Sequence, residues 1–145
     1  MRLYKNFIGV VFLLLIASAH IGVSAKVVCV PKLYAFGFSA SFNDSIVYFT
    51  DIQEIDSAWI NEKTKFLISR DNYSYQLKNY FNNIGEEHRT CIISFALTRK
   101  EIEKKYKKMR EKYVKSGSYD IRTVETKDFH FTAIKPDKYE LGDTK

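Results

Sequence analysis

Three carboxylates that lie close together in the sequence are the first candidates for chemistry. Asp51, Glu54 and Asp56 come at the end of a run rich in β-branched and aromatic residues. Neighbouring carboxylates can act as a general acid and base or bind calcium. Their spacing matches no calcium-binding loop, so solvated polar positions are the better interpretation. A small hydrolase that uses these carboxylates is the alternative.

Thiol and metal chemistry have less support. His88 lies three residues before Cys91, and a cysteine nucleophile requires a nearby base. Residues at odd separations in a strand point to opposite faces, so this pair is expected to diverge. The sequence contains no Cys-x-x-Cys motif and no two histidines at helical spacing. We therefore predict no catalytic residue, no metal site and no cofactor.

A strongly basic segment between residues 99 and 115 is the clearest candidate for binding. It contains nine lysines and arginines and three glutamates. Lysines on the side opposite to its apolar residues form a candidate anion-binding face, which consists of Lys100, Lys104, Lys107, Lys108 and Lys115. Such a face could hold lipid head groups, lipopolysaccharide phosphates, an acidic glycan or an acidic protein. A solvated helix with ion pairs between neighbouring turns is the alternative.

The N-terminus shows the three parts of a secretory signal peptide, which we place at residues 1–25. Arg2 and Lys5 form the positive end, and Phe7 to Ala19 is an uncharged apolar run. Val23-Ser24-Ala25 then offers small residues for cleavage. An uncleaved membrane anchor is the alternative. We predict a periplasmic or secreted protein that meets the membrane only transiently during export and binds no nucleic acid.

Export places the two cysteines, Cys29 and Cys91, in a compartment where disulfides persist. They are the only pair available, so a disulfide between them is a candidate. Each also lies in an apolar run, where a free cysteine behaves as a small hydrophobic residue. Two buried free thiols are therefore the alternative.

The most regular local pattern predicts a β-hairpin between Lys32 and Ile55. Large and small side chains alternate along its first arm, and β-branched and aromatic residues dominate the second. Asn43-Asp44 tolerates the positive φ angles of a tight two-residue turn. The large residues of the first arm, Phe42 included, are expected to need a covering layer.

Two amphipathic helices follow the hairpin. The first is predicted between Asp71 and Gly85 from apolar residues at helical spacing. The second begins at a capping box formed by Thr98 and Glu101 and ends near Gly117. Residues 90–97 form an apolar run that is typical of a central strand buried on both faces. Strand-like runs at residues 119–124 and 129–134 form either one long bent strand or a second hairpin.

This order of elements predicts an α+β fold. We expect a mainly antiparallel sheet of about four or five strands with both amphipathic helices on one face. Residues 26–135 are predicted to form a single domain, and residues 136–145 a polar C-terminal tail. The pattern does not determine the order of the strands.

Two segments carry a resemblance to known proteins. The run from Phe42 to Gln53, and the strand at Arg89–Ile92 that leads into the lysine-rich helix, resemble small exported proteins of uncharacterised function from Bacteroidetes-type bacteria. The resemblance implies a bacterial, extracytoplasmic location and supplies no activity. We therefore expect a non-catalytic binding or structural module of the bacterial envelope, whose partner is an envelope protein or an anionic surface.

Overall fold

The structure, a computed structural model, describes residues 26–142. The predicted signal peptide at residues 1–25 and residues 143–145 of the predicted tail lie outside this part. Five strands and two helices follow one another in the order β1 (Val27–Ala40), β2 (Ile46–Thr50), β3 (Gln53–Asn61), α1 (Arg70–Asn83), β4 (Thr90–Ala96), α2 (Arg99–Ser116) and β5 (Asp120–Val124). The predicted α+β class with a mainly antiparallel sheet is confirmed.

The long strand β1 organises the sheet. Tyr34 pairs with both β3 and β4, and Ala40 pairs with both β2 and β4. Since a strand has only two edges, β4 lies along one edge of β1, and β2 and β3 follow one another along the other edge. These three pairings are antiparallel, whereas β5 joins the outer edge of β2 in parallel. The order across the sheet is therefore β4, β1, β2 with β3, and β5.

A β-bulge separates β2 from β3. Phe38 pairs with Phe49 and Ala35 pairs with Gln53, so three residues on one side oppose two on the other. Within the bulge, the Gly37 N–H donates to the Thr50 hydroxyl oxygen at 2.8 Å. This side-chain acceptor satisfies a buried backbone donor that the interrupted ladder would otherwise leave unpaired.

The two helices lie on opposite faces of the sheet, so their predicted placement on one face is wrong. From Leu33 onward, odd-numbered residues of β1, such as Leu33 and Ala35, pack with α1 in one core, which Val28 and Val30 also join. Even-numbered residues, such as Phe36 and Phe38, pack in a second core with α2. The small side chains of the odd-numbered face do not make it a solvent face; they leave room for the large residues of α1.

The C-terminal segment 129–134 does not form the predicted strand and is held in place by side chains of other elements. The Gln53 side-chain amide donates to the Phe129 carbonyl oxygen and its carbonyl oxygen accepts from the Phe131 N–H, both at 2.9 Å. Gln76 of α1 makes the same pair of bonds with Thr132, at 2.9 Å each. Side-chain amides therefore replace a neighbouring strand as the partners of this backbone.

The hairpin is confirmed, but its turn is longer than predicted. A five-residue loop, residues 41–45, joins β1 to β2. The Ile46 N–H donates to the Asp44 carboxylate at 2.8 Å, which closes the loop through a side chain instead of a two-residue turn. Phe42 is 102% exposed, in contrast to its predicted burial.

The second helix follows the sequence pattern closely. The Thr98 hydroxyl accepts from the Glu101 N–H at 3.3 Å, which is one of the two bonds of the predicted capping box. Tyr106 packs edge-on against Phe36 with ring centroids 5.0 Å apart, and the ring centroid of Tyr113 lies 5.0 Å from that of Phe38.

In the part of the chain that the structure describes, no helix is long and apolar enough to span a membrane.

Candidate binding surface

The three candidate carboxylates do not converge. Asp51 accepts from the N–H and the hydroxyl of Thr126, at 2.9 and 3.2 Å. Glu54 forms an ion pair of 2.7 Å with Lys32, which holds the pKa of Glu54 below its usual value, and Asp56 is exposed. Glu54 and Asp56 therefore lie near the same lysine, Lys32, whereas Asp51 is held by Thr126. Between residues 26 and 142, no group of three His, Cys, Asp or Glu side chains is placed to hold a metal ion.

The candidate disulfide between Cys29 and Cys91 does not form in this fold. Cys29 lies near the start of β1. Cys91 of β4 pairs with Ser39, which lies near the other end of β1. Ten residues of extended strand separate Cys29 from Ser39, about 33 Å at about 3.3 Å per residue. Bonded cysteines have Cα atoms only about 4.4–6.8 Å apart. Both thiols are free, as in the alternative, but they are not both buried: Cys29 is exposed and Cys91 is half-buried.

His88 and Cys91 are also not placed together as a base and a nucleophile. Cys91 is half-buried and its thiol lies 3.4 Å from the Ser39 hydroxyl, while burial raises its pKa. His88 is exposed beside Glu87, 3.8 Å away. A thiol with a raised pKa and no histidine partner is a poor nucleophile at neutral pH.

A buried arginine, Arg89, was not identified by the sequence pattern. Its guanidinium donates to Asp44 and Glu86 at 3.0 Å each and lies 4.7 Å from the ring centre of Tyr48. The Tyr48 hydroxyl in turn donates to Glu86 at 3.0 Å. These contacts join the hairpin loop, the segment after α1 and the start of β4. Folding brings the carboxylates of Asp44 and Glu86 together around Arg89, so the spacing of these residues in the sequence gives little indication of the cluster.

The predicted basic face of α2 is turned to solvent. Lys107 lies 3.9 Å from Glu111, the only ion pair made by the five predicted lysines within residues 26–142. Unpaired and exposed on this face are Lys100, Lys104, Lys108 and Lys115. Ile102 on the opposite side is fully buried. Packing therefore fixes the helix, while the four unpaired lysines keep their charge available to a ligand.

A second surface is the outer edge of β4, so the central position predicted for residues 90–97 is wrong. Among the described strands, only β1 pairs with β4. On the outer side, Arg70 of α1 donates to the Ile93 carbonyl at 3.4 Å, and Lys105 of α2 donates to the Phe95 carbonyl at 2.7 Å. The edge is therefore flanked by a cationic side chain from each face of the sheet. Exposed strand edges are templates for pairing with another strand.

Hollows lie beside this edge on both faces of the sheet. On the α1 face, a hollow of about 460 Å³ is lined by residues that include Arg70, Lys78 and Cys91. On the α2 face, a smaller and mainly apolar hollow of about 200 Å³ includes Phe42 and Ile92. Both are open depressions at the surface, which suits extended ligands better than an enclosed small molecule.

Comparison of the chain with known proteins gives no family assignment. No protein-family model matches it, and neither the curated proteins nor the solved structures provide a significant match.

Proposed function

We propose that this domain is an exported, non-catalytic binding module that holds an anionic surface of the bacterial envelope. The observation that carries this proposal is the outer face of α2, where four lysines are exposed without carboxylate partners. The N-terminal sequence pattern supports export. Asp51 is bonded to Thr126 and Glu54 is paired with Lys32, which supports a role without catalysis.

The charges on α2 set the expected strength and salt dependence. A lysine close to an anionic membrane contributes about 1 kcal/mol, so four unpaired lysines contribute roughly 4 kcal/mol. This free energy corresponds to a dissociation constant of about 1 mM. Because the charges are exposed, salt screens them over a distance of about 10 Å at 0.1 M. Binding should therefore be weak for a single domain and lost as salt is added.

The test is a charge reversal of Lys104→Glu with Lys108→Glu. The matched control is Lys135→Glu with Lys138→Glu, which makes the same change in net charge on exposed residues of the C-terminal segment. Cosedimentation with phosphatidylglycerol vesicles, phosphatidylcholine vesicles and lipopolysaccharide is measured for protein purified from the extracytoplasmic fraction. The α2 variant should lose retention on the anionic samples at low salt, and the control should keep it.

The three samples separate the sources of negative charge. Retention on phosphatidylglycerol indicates a lipid head group, whereas retention on lipopolysaccharide alone indicates a phosphorylated glycolipid. Thermal unfolding of the α2 variant should stay close to that of the wild type, because both lysines are exposed. Equal retention of wild type and α2 variant at low salt would refute the proposal.

A further inference from the structure

We propose that the outer edge of β4 binds an extended segment of a partner protein in which acidic and apolar residues alternate, and that this segment joins the sheet as an additional strand. The proposal does not depend on the anionic surface assigned to α2: Lys104 lies near both, but the bonds of this site are made by the backbone of β4, and its test changes Arg70 and Lys78 of α1.

The backbone of β4 presents a regular set of hydrogen-bonding groups on its outer side. In an antiparallel pair, a residue directs both its N–H and its C=O to one edge, and the next residue directs them to the other. Arg70 and Lys105 donate to the carbonyls of Ile93 and Phe95, which identifies these residues as outward-facing. The same alternation places the backbone groups of Cys91 outward. Cys91 therefore offers a donor and an acceptor to a new strand, while Ile93 and Phe95 offer their N–H donors, because their carbonyl oxygens already accept from Arg70 and Lys105.

Side chains of a strand on this edge would alternate between two unlike environments. Those on the α1 face would enter the hollow lined by Arg70 and Lys78, where an acidic side chain meets opposite charge. Those on the α2 face would meet Ile92, which is 38% exposed, and Phe42, which is fully exposed. In strand addition the backbone supplies affinity, while such hollows select alternate side chains. The geometry therefore selects a period-two pattern of acidic and apolar residues.

Charge complementarity selects an acidic partner over a second copy of this chain. The hollows beside the edge are lined in part by Arg89, whose charge is already paired with Asp44 and Glu86. The other basic residues that line them are Lys65, Arg70, Lys78, Lys104 and Lys105, and the acidic ones are Asp71 and Glu101. Edge-to-edge pairing of two copies would bring both cationic sets together, and like charges at an interface are unfavourable. An acidic segment would replace that repulsion with attraction.

The probe for this site is a ten-residue peptide with five repeats of Glu-Val. Fluorescence anisotropy at low salt measures its affinity, and a peptide of the same composition with all glutamates before all valines serves as the pattern control. Arg70→Glu with Lys78→Glu should weaken binding of the alternating peptide at least about tenfold, since attraction becomes repulsion. Lys135→Glu with Lys138→Glu, which makes the same change in net charge elsewhere, should change it by less than about twofold.

Amide hydrogen exchange provides a readout that nonspecific charge attraction would not produce. Binding should slow exchange at the amides of Cys91, Ile93 and Phe95, whereas their alternate neighbours already bond to β1. Unchanged exchange at these three amides, or equal affinity for both peptides, would overturn the proposal. Protection that rises with protein concentration in the absence of peptide would also overturn it, in favour of pairing between two copies.

Discussion

Substitution of Gly37 by alanine tests whether α1 packs closely on the odd-numbered face of β1. Gly37 is buried at the place where α1, the β-bulge and the C-terminal segment meet. A Cβ atom added there would lie 2.5 Å from Leu77 Cδ2, 3.1 Å from Thr50 Cγ2 and 3.2 Å from Phe131 Cζ. The first distance is about 1 Å shorter than an ordinary carbon–carbon contact. Because Leu77 is itself only 1% exposed, its side chain has little space into which to withdraw.

The expected magnitude is the difference between two opposing effects. Forcing an extra methyl group into a packed core costs about 1–3 kcal/mol. Alanine also restricts the unfolded chain more than glycine does, which stabilises the folded protein by about 0.4–1 kcal/mol. Gly37→Ala should therefore lower the free energy of unfolding by about 1–2 kcal/mol, which corresponds to a fall in Tm of about 3–10 °C.

Urea denaturation of a double-mutant cycle measures this effect. Leu77→Ala alone should cost about 2–5 kcal/mol through cavity formation. In that background the clashing methyl group is absent, so Gly37→Ala should become neutral or stabilising, with an unchanged m value. If Gly37→Ala costs as much in the Leu77→Ala background as in the wild type, the close approach of α1 to this face is refuted.

Two further predictions concern polar contacts. Gln53→Leu should lower the free energy of unfolding by about 2–4 kcal/mol in urea denaturation, since it leaves two buried backbone groups of the C-terminal segment unpaired. Gln76→Leu removes the same kind of bonds at an exposed site and should cost less than about 1 kcal/mol. Equal costs for the two variants would contradict this account. Bonds from the backbone N–H of Ile46 and, to a smaller extent, from Arg89 lower the pKa of Asp44 below its usual 3.8. The bonds of the ionised carboxylate therefore stabilise the fold above that pH and are lost as the pH falls through the lower pKa of the folded state. The stability difference between wild type and Asp44→Asn should therefore shrink as acid is added, and a difference that stays constant down to about pH 2 would exclude this contribution.

Local periodicity was sufficient to predict the hairpin and the second helix. The alternation in the first arm of the hairpin, and the stripe that includes Ile102 and Tyr106, are properties of neighbouring residues, which the backbone geometry of strands and helices converts directly into faces. The exposure of the lysines opposite that stripe follows from the same geometry. Export, an envelope location and a binding function stay predictions.

Other features depend on residues far apart in the chain, and no local pattern encodes them. Strand register places Cys29 near one end of β1 and Cys91 of β4 beside Ser39, near the other end. Gln53 holds the C-terminal segment through contacts across more than 70 residues of sequence. The Arg89 cluster likewise forms only when the hairpin loop meets the start of β4.

The sequence by itself determined that two helices and a hairpin would each present an apolar face, because side-chain periodicity depends only on backbone geometry. Only the tertiary structure decided that the helices cover opposite faces of the sheet. Two stripes of similar hydrophobicity contain no information about which surface each will meet. That choice is made by shape: the small residues of β1 admit α1 closely at Gly37, and the aromatic residues on the other face receive α2. The same arrangement leaves β4 at an open edge.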